Sequence, residues 1–128
     1  MSEFSVLGKV VRNSVDRLDT FPSPGHIQVE QDTDEFTSLC PITGAPDWCR
    51  IVVRYIPDTL CAESKSVKLY YFGFRNVGMF CEKLAVVIAQ RFLEDLKPLW
   101  LQVSVVQVPR GGIGLTATYT WPEEEQSR

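Results

Sequence analysis

Histidine is nearly missing from this chain: His26 is the sole one. A catalytic zinc site built on three histidines cannot be assembled within it, and a Ser-His-Asp or Cys-His site would have to use His26. The four cysteines, Cys40, Cys49, Cys61 and Cys81, lie nine, twelve and twenty positions apart. Without a CxxC pair, a structural zinc site of the usual spacing is not expected. The opening segment MSEFSVLGKVVRNSVDR has no continuous apolar region and no small-residue cleavage site. The thiols are therefore expected to be reduced and the protein cytoplasmic. Basic residues are not in excess: 13 Lys+Arg stand against 16 Asp+Glu, a net charge of -3. That balance disfavours duplex DNA, whose partners carry a basic surplus. No apolar run reaches the roughly 18 residues of a membrane span.

What is present suits one globular domain. An apolar share of 45% and a charged share of 23% over 128 residues are ordinary for a folded, soluble chain of that size. Residues 1–25 end in the punctuated Phe21-Pro22-Ser23-Pro24-Gly25 and read as a loosely ordered arm. A domain over 26–121 and a charged tail over 122–128 complete the division. His26 to Glu30 alternates like a half-buried strand, Gln31 to Glu35 is turn-like, and Phe36 to Cys40 is extended again. Pro41 to Asp47 is a loop. Trp48 to Ile56, rich in β-branched and aromatic residues, is the clearest strand.

Helices follow. Lys65 to Phe74 reads as one, with Ser64 as N-cap. Met79 to Leu96 places apolar residues at 80, 84, 87, 88, 92 and 96, an amphipathic spacing ended by Pro98. Trp100 to Val108 and Ile113 to Trp121 are strands joined at Pro109-Arg110-Gly111-Gly112. The order β-β-α-α-β-β predicts an α+β unit with a four-stranded antiparallel sheet and a helix pair. Two open sheet edges invite pairing between subunits.

Four segments carry groups able to do chemistry. Cys40 and Asp47 flank a loop pinned by Pro41, Gly44 and Pro46, which can turn a thiol and a carboxyl group toward each other. Free cysteines more often pack than react, and Asp47 could equally cap a turn. Ser64, Lys65 and Lys68 give a helix start with two lysines on one face, fit for a phosphate or simply solvated. Arg110 beside Gly111 could fork onto a phosphate or sit on a plain hairpin turn. Phe80, Cys81 and Glu82 open the long helix, where a carboxylate enjoys the dipole and could accept from the N–H groups of a heterocycle.

Taken in order, FTSLCPITGAPDW, ESKSVKLYYFGFRN, FCE and PRGG resemble 7-cyano-7-deazaguanine reductase, the NADPH-dependent nitrile reductase of queuosine biosynthesis, in its short single-module form. The resemblance runs from about Phe36 to Ile113. It implies the tunnelling fold and a ring-forming homo-oligomer with active sites between subunits. It implies Cys40 as the nucleophile that adds to the nitrile carbon as a thioimide, and Asp47 as the acid/base group. Glu82 would read the pyrimidine edge of a small deazapurine nitrile, with Ser64 and Phe80 beside it. Lys65, Lys68 and Arg110, with Gly111, would hold the phosphates of NADPH. No metal, membrane or direct nucleic-acid contact is implied.

One position departs from the family. The residue before the substrate-binding glutamate is usually histidine and here is Cys81, a poorer hydrogen-bond partner that titrates about two units higher. Three rivals remain. A reductase-like amidinotransferase of archaeosine formation would use the same cysteine adduct but is expected to lack Glu-Ser-Lys-Ser-x-Lys. A non-catalytic deazapurine binder needs neither Cys40 nor Asp47. A metal-dependent pterin enzyme of the same fold would need more histidines than His26.

Overall fold

A computed structural model of the chain describes residues 15–123. Two long antiparallel strands come first: β2 (Val29–Leu39) and β3 (Pro46–Ile56), preceded by a three-residue β1 (Thr20–Pro22). A short β4 (Leu60–Ala62) leads into α1 (Ser64–Phe72) and α2 (Cys81–Leu96). Strands β5 (Trp100–Arg110) and β6 (Ile113–Trp121) close the chain. The main sheet has the order β2-β3-β5-β6, every pair antiparallel, as expected from the sequence; β1 and β4 form a second, two-stranded sheet. The turn between β5 and β6 is made by Gly111 and Gly112, both at positive φ (59° and 80°), where a side chain would be strained.

The core lies between the sheet and the helices. Along β3 the side chains of Asp47, Cys49, Ile51, Val53 and Tyr55 are buried at every second position, the period of a strand with one covered face. Leu101, Val103 and Val105 of β5 continue that face. Above them α2 lays down Cys81, Leu84, Ala85, Ile88, Ala89, Phe92 and Leu96, steps of three and four that keep one helical stripe on the sheet. Burying each large apolar side chain here contributes about 1.5–3 kcal/mol. Among the described residues no helix is long and apolar enough to cross a membrane.

Several sequence expectations need correction. The segment before residue 26 is not loose where it is described. Thr20–Pro22 pairs with Leu60–Ala62, the Leu18 N–H donates to Asp95 (2.8 Å), and the Asp19 N–H donates to the Ser66 hydroxyl (2.9 Å). Residues 1–14 and 124–128, the rest of the expected arm and tail, lie outside the described residues. Gln31 to Glu35 is not a turn but strand, with only a register shift between Thr33 and Phe36. Two acidic residues of β2 are met across the sheet, Glu30 by Arg54 (2.7 Å) and Asp32 by Arg50 (2.6 Å).

The cap of α1 is Glu63, not Ser64: its carboxylate accepts from the Lys65 N–H (2.7 Å) and the Ser66 N–H (2.8 Å). The Ser66 hydroxyl, fully buried, donates to the Glu63 carbonyl (2.7 Å). Glu63 and Ser66 thus anchor the helix internally and leave Ser64 and Lys68 on its exposed side. Glu63→Ala should destabilise the protein by about 1–2 kcal/mol, the usual cost of an N-cap. Thermal unfolding should show a midpoint several degrees lower, and an unchanged midpoint would refute this role.

Candidate active site

The loop between β2 and β3 is closed by its own backbone. The Cys40 N–H donates to the Ala45 carbonyl and the Gly44 N–H to the Cys40 carbonyl, both at 2.8 Å. The loop then docks on the strand-like approach to α2. The Leu39 N–H donates to Val77 (2.9 Å), and the Met79 N–H donates back to Leu39 (3.1 Å). Gly78 makes this docking possible, since a Cβ there would lie 3.3 Å from the Pro41 Cα. Cys40 is thereby fixed beside the N-terminus of α2.

Cys40 is half-buried and its thiol is pulled down to about 7. The main cause is a hydrogen bond from the Thr43 hydroxyl. The backbone N–H groups of Thr43 and Ile42 and the Arg110 guanidinium add to it, against a smaller opposing effect of desolvation. The other described cysteines differ. Cys49 is buried and pushed up to about 12 by desolvation, and Cys81 is raised for the same reason. All four thiols are free.

Asp47 is the first inward-facing residue of its strand, 7% exposed, and opposes Ser38 across β2 and β3. The Arg110 guanidinium, arriving from the far end of β5, donates to the Asp47 carboxylate and forms an ion pair with it. The bulge between Gln107 and Arg110 directs it there. Arg110 thus bears on both groups flagged on the Pro/Gly loop: it is ion-paired with Asp47 and makes a small contribution to the lowering of the Cys40 thiol.

The start of α2 completes the cluster. Phe80 is its N-cap and stands 55% exposed; Glu82 is exposed in the first turn. Cys81 turns the other way, 3% exposed, and its thiol donates to the Val105 carbonyl at 3.3 Å. It lies beneath the cluster, not within it. Ser64 and Lys68 lie elsewhere, lining a cavity of about 320 Å³ between β2 and α1, with Gln31, Tyr71, Phe72 and Arg75. Gln31 Oε1 and the Tyr71 hydroxyl are buried on this cavity without a hydrogen-bond partner. Lys68 stands over the Phe72 ring, 5.7 Å from its centre. Lys65 is half-buried on the same helix. Among the described residues no cluster of His, Cys, Asp or Glu could hold a metal ion.

Thr43, Gln31 and Tyr71 were not singled out by sequence reasoning. A hydroxyl three positions after a loop cysteine was a usable signal for Thr43. Nothing in the local pattern marks Gln31 or Tyr71, which matter through a cavity formed by two distant elements.

A two-helix layer on a four-stranded antiparallel sheet is the α+β architecture expected of a tunnelling-fold protein, and the thiol of Cys40 at one lip is acidified. The family model described as QueF-like protein matches residues 46–126, and the chain belongs to that family. The chain is 54% identical over 79 residues to a protein of Chelativorans sp. (strain BNC1) named NADPH-dependent 7-cyano-7-deazaguanine reductase, across 62% of this chain and 52% of that one. It is 46% identical over 105 residues to the protein of that name from Bradyrhizobium sp. (strain BTAi1 / ATCC BAA-1182), across 76% and 63%. The chain thus spans between about half and two-thirds of the length of these relatives. The fold is similar to the crystal structure of the archaeosine synthase QueF-Like in the apo form, with a TM-score of 0.70 at 20% identity, over 80% of this chain and 99% of that one.

The cysteine environments make a direct prediction. Alkylation by iodoacetamide, mapped by peptide mass, should modify Cys40 with a half-maximal rate near pH 7. The thiolate is the reactive form, so the rate rises with pH through that value and levels above it. Cys49 and Cys81 should stay unmodified in the folded protein, and a Cys40 midpoint above pH 8.5 would contradict the environment described.

Proposed function

We propose that this chain reduces the nitrile of 7-cyano-7-deazaguanine to the aminomethyl group with NADPH, in queuosine tRNA-modification biosynthesis. The observation that carries the reading is the low-pKa Cys40 on the loop that leads to the Asp47–Arg110 ion pair and docks against the approach to α2, whose first turn bears Phe80 and Glu82. The relatives' names supply the substrate and the cofactor.

The thiolate adds to the nitrile carbon. A C–S bond forms, one C–N π bond breaks, and its electron pair goes to nitrogen. Asp47 handles the proton: its carboxylate takes the one shed by the thiol and passes it to that nitrogen. The product is a thioimide, a more activated C=N electrophile than the nitrile. Glu82, exposed at the helix start, accepts from the N–H groups of the deazapurine, with Phe80 against its ring and Ser64 nearby. Cys81 stands where the family's histidine would be and is sealed under the site, so it supports the helix start and leaves the proton to Asp47.

The residues assigned to NADPH fit a nucleotide. The cavity between β2 and α1 has an apolar floor, two orphaned buried polar atoms and Lys68 at its rim, with Lys65 on the same helix. Arg110, next to Gly111, is shared: a guanidinium has five N–H donors, so pairing with Asp47 leaves donors for a phosphate. NADPH, when bound, supplies hydride, and a four-electron reduction of nitrile to amine consumes two. Ile42, Trp48, Val108 and Ile113 are large apolar side chains exposed around this end of the sheet. They support burial against further subunits of a homo-oligomer, with active sites between subunits.

The test is loss of NADPH absorbance with the nitrile, alongside the intact mass of the protein. Two NADPH should disappear per nitrile, with a transient adduct on Cys40. Cys40→Ala should abolish both signals. Lys65→Ala should raise the KM for NADPH more than that for the nitrile. Normal turnover by Cys40→Ala would overturn the mechanism.

A further inference from the structure

One buried polar group next to the candidate site is spent on nothing. Ser38 is fully buried, at 0% exposure, and its hydroxyl has no hydrogen-bond partner. A buried hydroxyl left unpaired is costly, since water has been taken from it and nothing returned. Ser38 pairs in register with Asp47 across β2 and β3, and both side chains lie on the covered face. Directly opposed residues carry their Cβ atoms about 4.5–5.5 Å apart. Rotation about the Cα–Cβ bond of Ser38 therefore sweeps its hydroxyl toward the carboxyl group without moving the backbone. Ser38 also stands two positions before Cys40.

Asp47 holds Arg110 with Oδ1. A proton taken up by this carboxylate therefore goes to Oδ2, and the new O–H needs an acceptor. Arg110 carries donors only. The neighbours on the covered face serve no better. Phe36, before Ser38 on β2, is apolar, and Cys49, after Asp47 on β3, is a thiol and a weak acceptor. A serine hydroxyl accepts as readily as it donates.

We propose that Ser38 is the positioning residue for Asp47, its hydroxyl donating to Oδ2 of the carboxylate and accepting from Oδ2–H once the proton has arrived. This rests on the reading of Asp47 as the proton carrier. No proton is gained or lost at Ser38. The thiol's proton passes to Oδ2, stays there while the C–S bond forms, and leaves for the nitrile nitrogen; the serine hydroxyl only turns to suit. With Arg110 on Oδ1 and Ser38 on Oδ2, the carboxyl plane is held at both ends through the transfer. A side chain of fixed polarity would favour one protonation state over the other.

The test is a two-by-two set in the full chain: parent, Ser38→Ala, Asp47→Asn and the double variant. The Asp47→Asn amide keeps an oxygen for Arg110 and puts an N–H donor where the protonated Oδ2 would be, so it stands in for the neutral acid. Thermal unfolding without nitrile or NADPH should then show opposite signs. In the parent, Ser38→Ala removes an orphaned hydroxyl, and the midpoint should hold or rise. In Asp47→Asn the same change removes an acceptor, and the midpoint should fall by about 3–5 °C. A merely structural serine gives one shift in both backgrounds, and that result would overturn the proposal. In the nitrile assay Ser38→Ala should lower kcat by about tenfold with both KM values unchanged, and should cost nothing further on top of Asp47→Asn. An unchanged kcat, or a rise in KM alone, would also overturn it; this arm decides the matter if Asp47→Asn does not fold. Opposite melting shifts in a parent that reduces no nitrile would sink the reductase reading and leave the Ser38–Asp47 pair standing.

Discussion

Two backbone hydrogen bonds around Leu39 hold the candidate site together. Leu39 donates to Val77 and accepts from Met79, so the end of β2 and the lead-in to α2 become neighbours in a parallel bridge. Everything at the lip depends on that junction. It sets the Cys40 loop against the lead-in to α2, the helix whose first turn carries Phe80 and Glu82. The contact is close enough that only glycine fits at position 78 without moving Pro41. Backbone bonds are suited to this task because they are indifferent to the side chains that the chemistry requires.

The four cysteines show how strongly surroundings decide the fate of one functional group. Cys40 and Cys49 are separated by nine positions and one turn. Cys49 lies on the covered face of β3, where nothing stabilises its anion and desolvation raises its pKa to about 12. Cys40 sits where a turn exposes N–H groups and a hydroxyl, and its pKa falls to about 7. The difference is one of burial against hydrogen-bond donors, not of the chain's net charge, which is acidic. A helix start ordinarily acidifies a thiol through the dipole, and Cys81 stands at one. Its side chain points instead into the core, and burial prevails.

Much of the fold was legible because it rests on local periodicity. The buried alternation of β3 and the three-four stripe of α2 are written in consecutive residues, and β6 keeps its expected bounds, Ile113–Trp121. The central part of β2 was not legible. Gln31 to Glu35 read as a turn, yet Asp32 lies in the strand, where Arg50 of the neighbouring strand neutralises it, as Arg54 does Glu30 just before. A pattern within one strand cannot show a partner some twenty positions away. Strands of three residues, Thr20–Pro22 and Leu60–Ala62, are too short for any period. At the site, Cys40, Asp47 and Arg110 were each marked by type and motif, but the ion pair between Asp47 and Arg110 spans 63 positions and exists only in three dimensions.

The Glu-Ser-Lys-Ser-x-Lys segment shows why a motif and a binding site are different things. Its residues divide by helix face. Glu63 and Ser66 point inward and spend their polar groups on the helix itself and on Asp19. Ser64 and Lys68 line the cavity over Tyr71 and Gln31. Six consecutive residues thus hold two constraints, one on stability and one on what the cavity can receive. The inward pair fixes the phase of the helix, and the phase decides where the lysines stand. If Lys68 holds NADPH as proposed, loss of Glu63 would therefore weaken that binding without Glu63 touching the ligand. Whole-motif substitution cannot separate the two constraints; single substitutions on opposite faces can, because melting temperature follows one face and affinity the other.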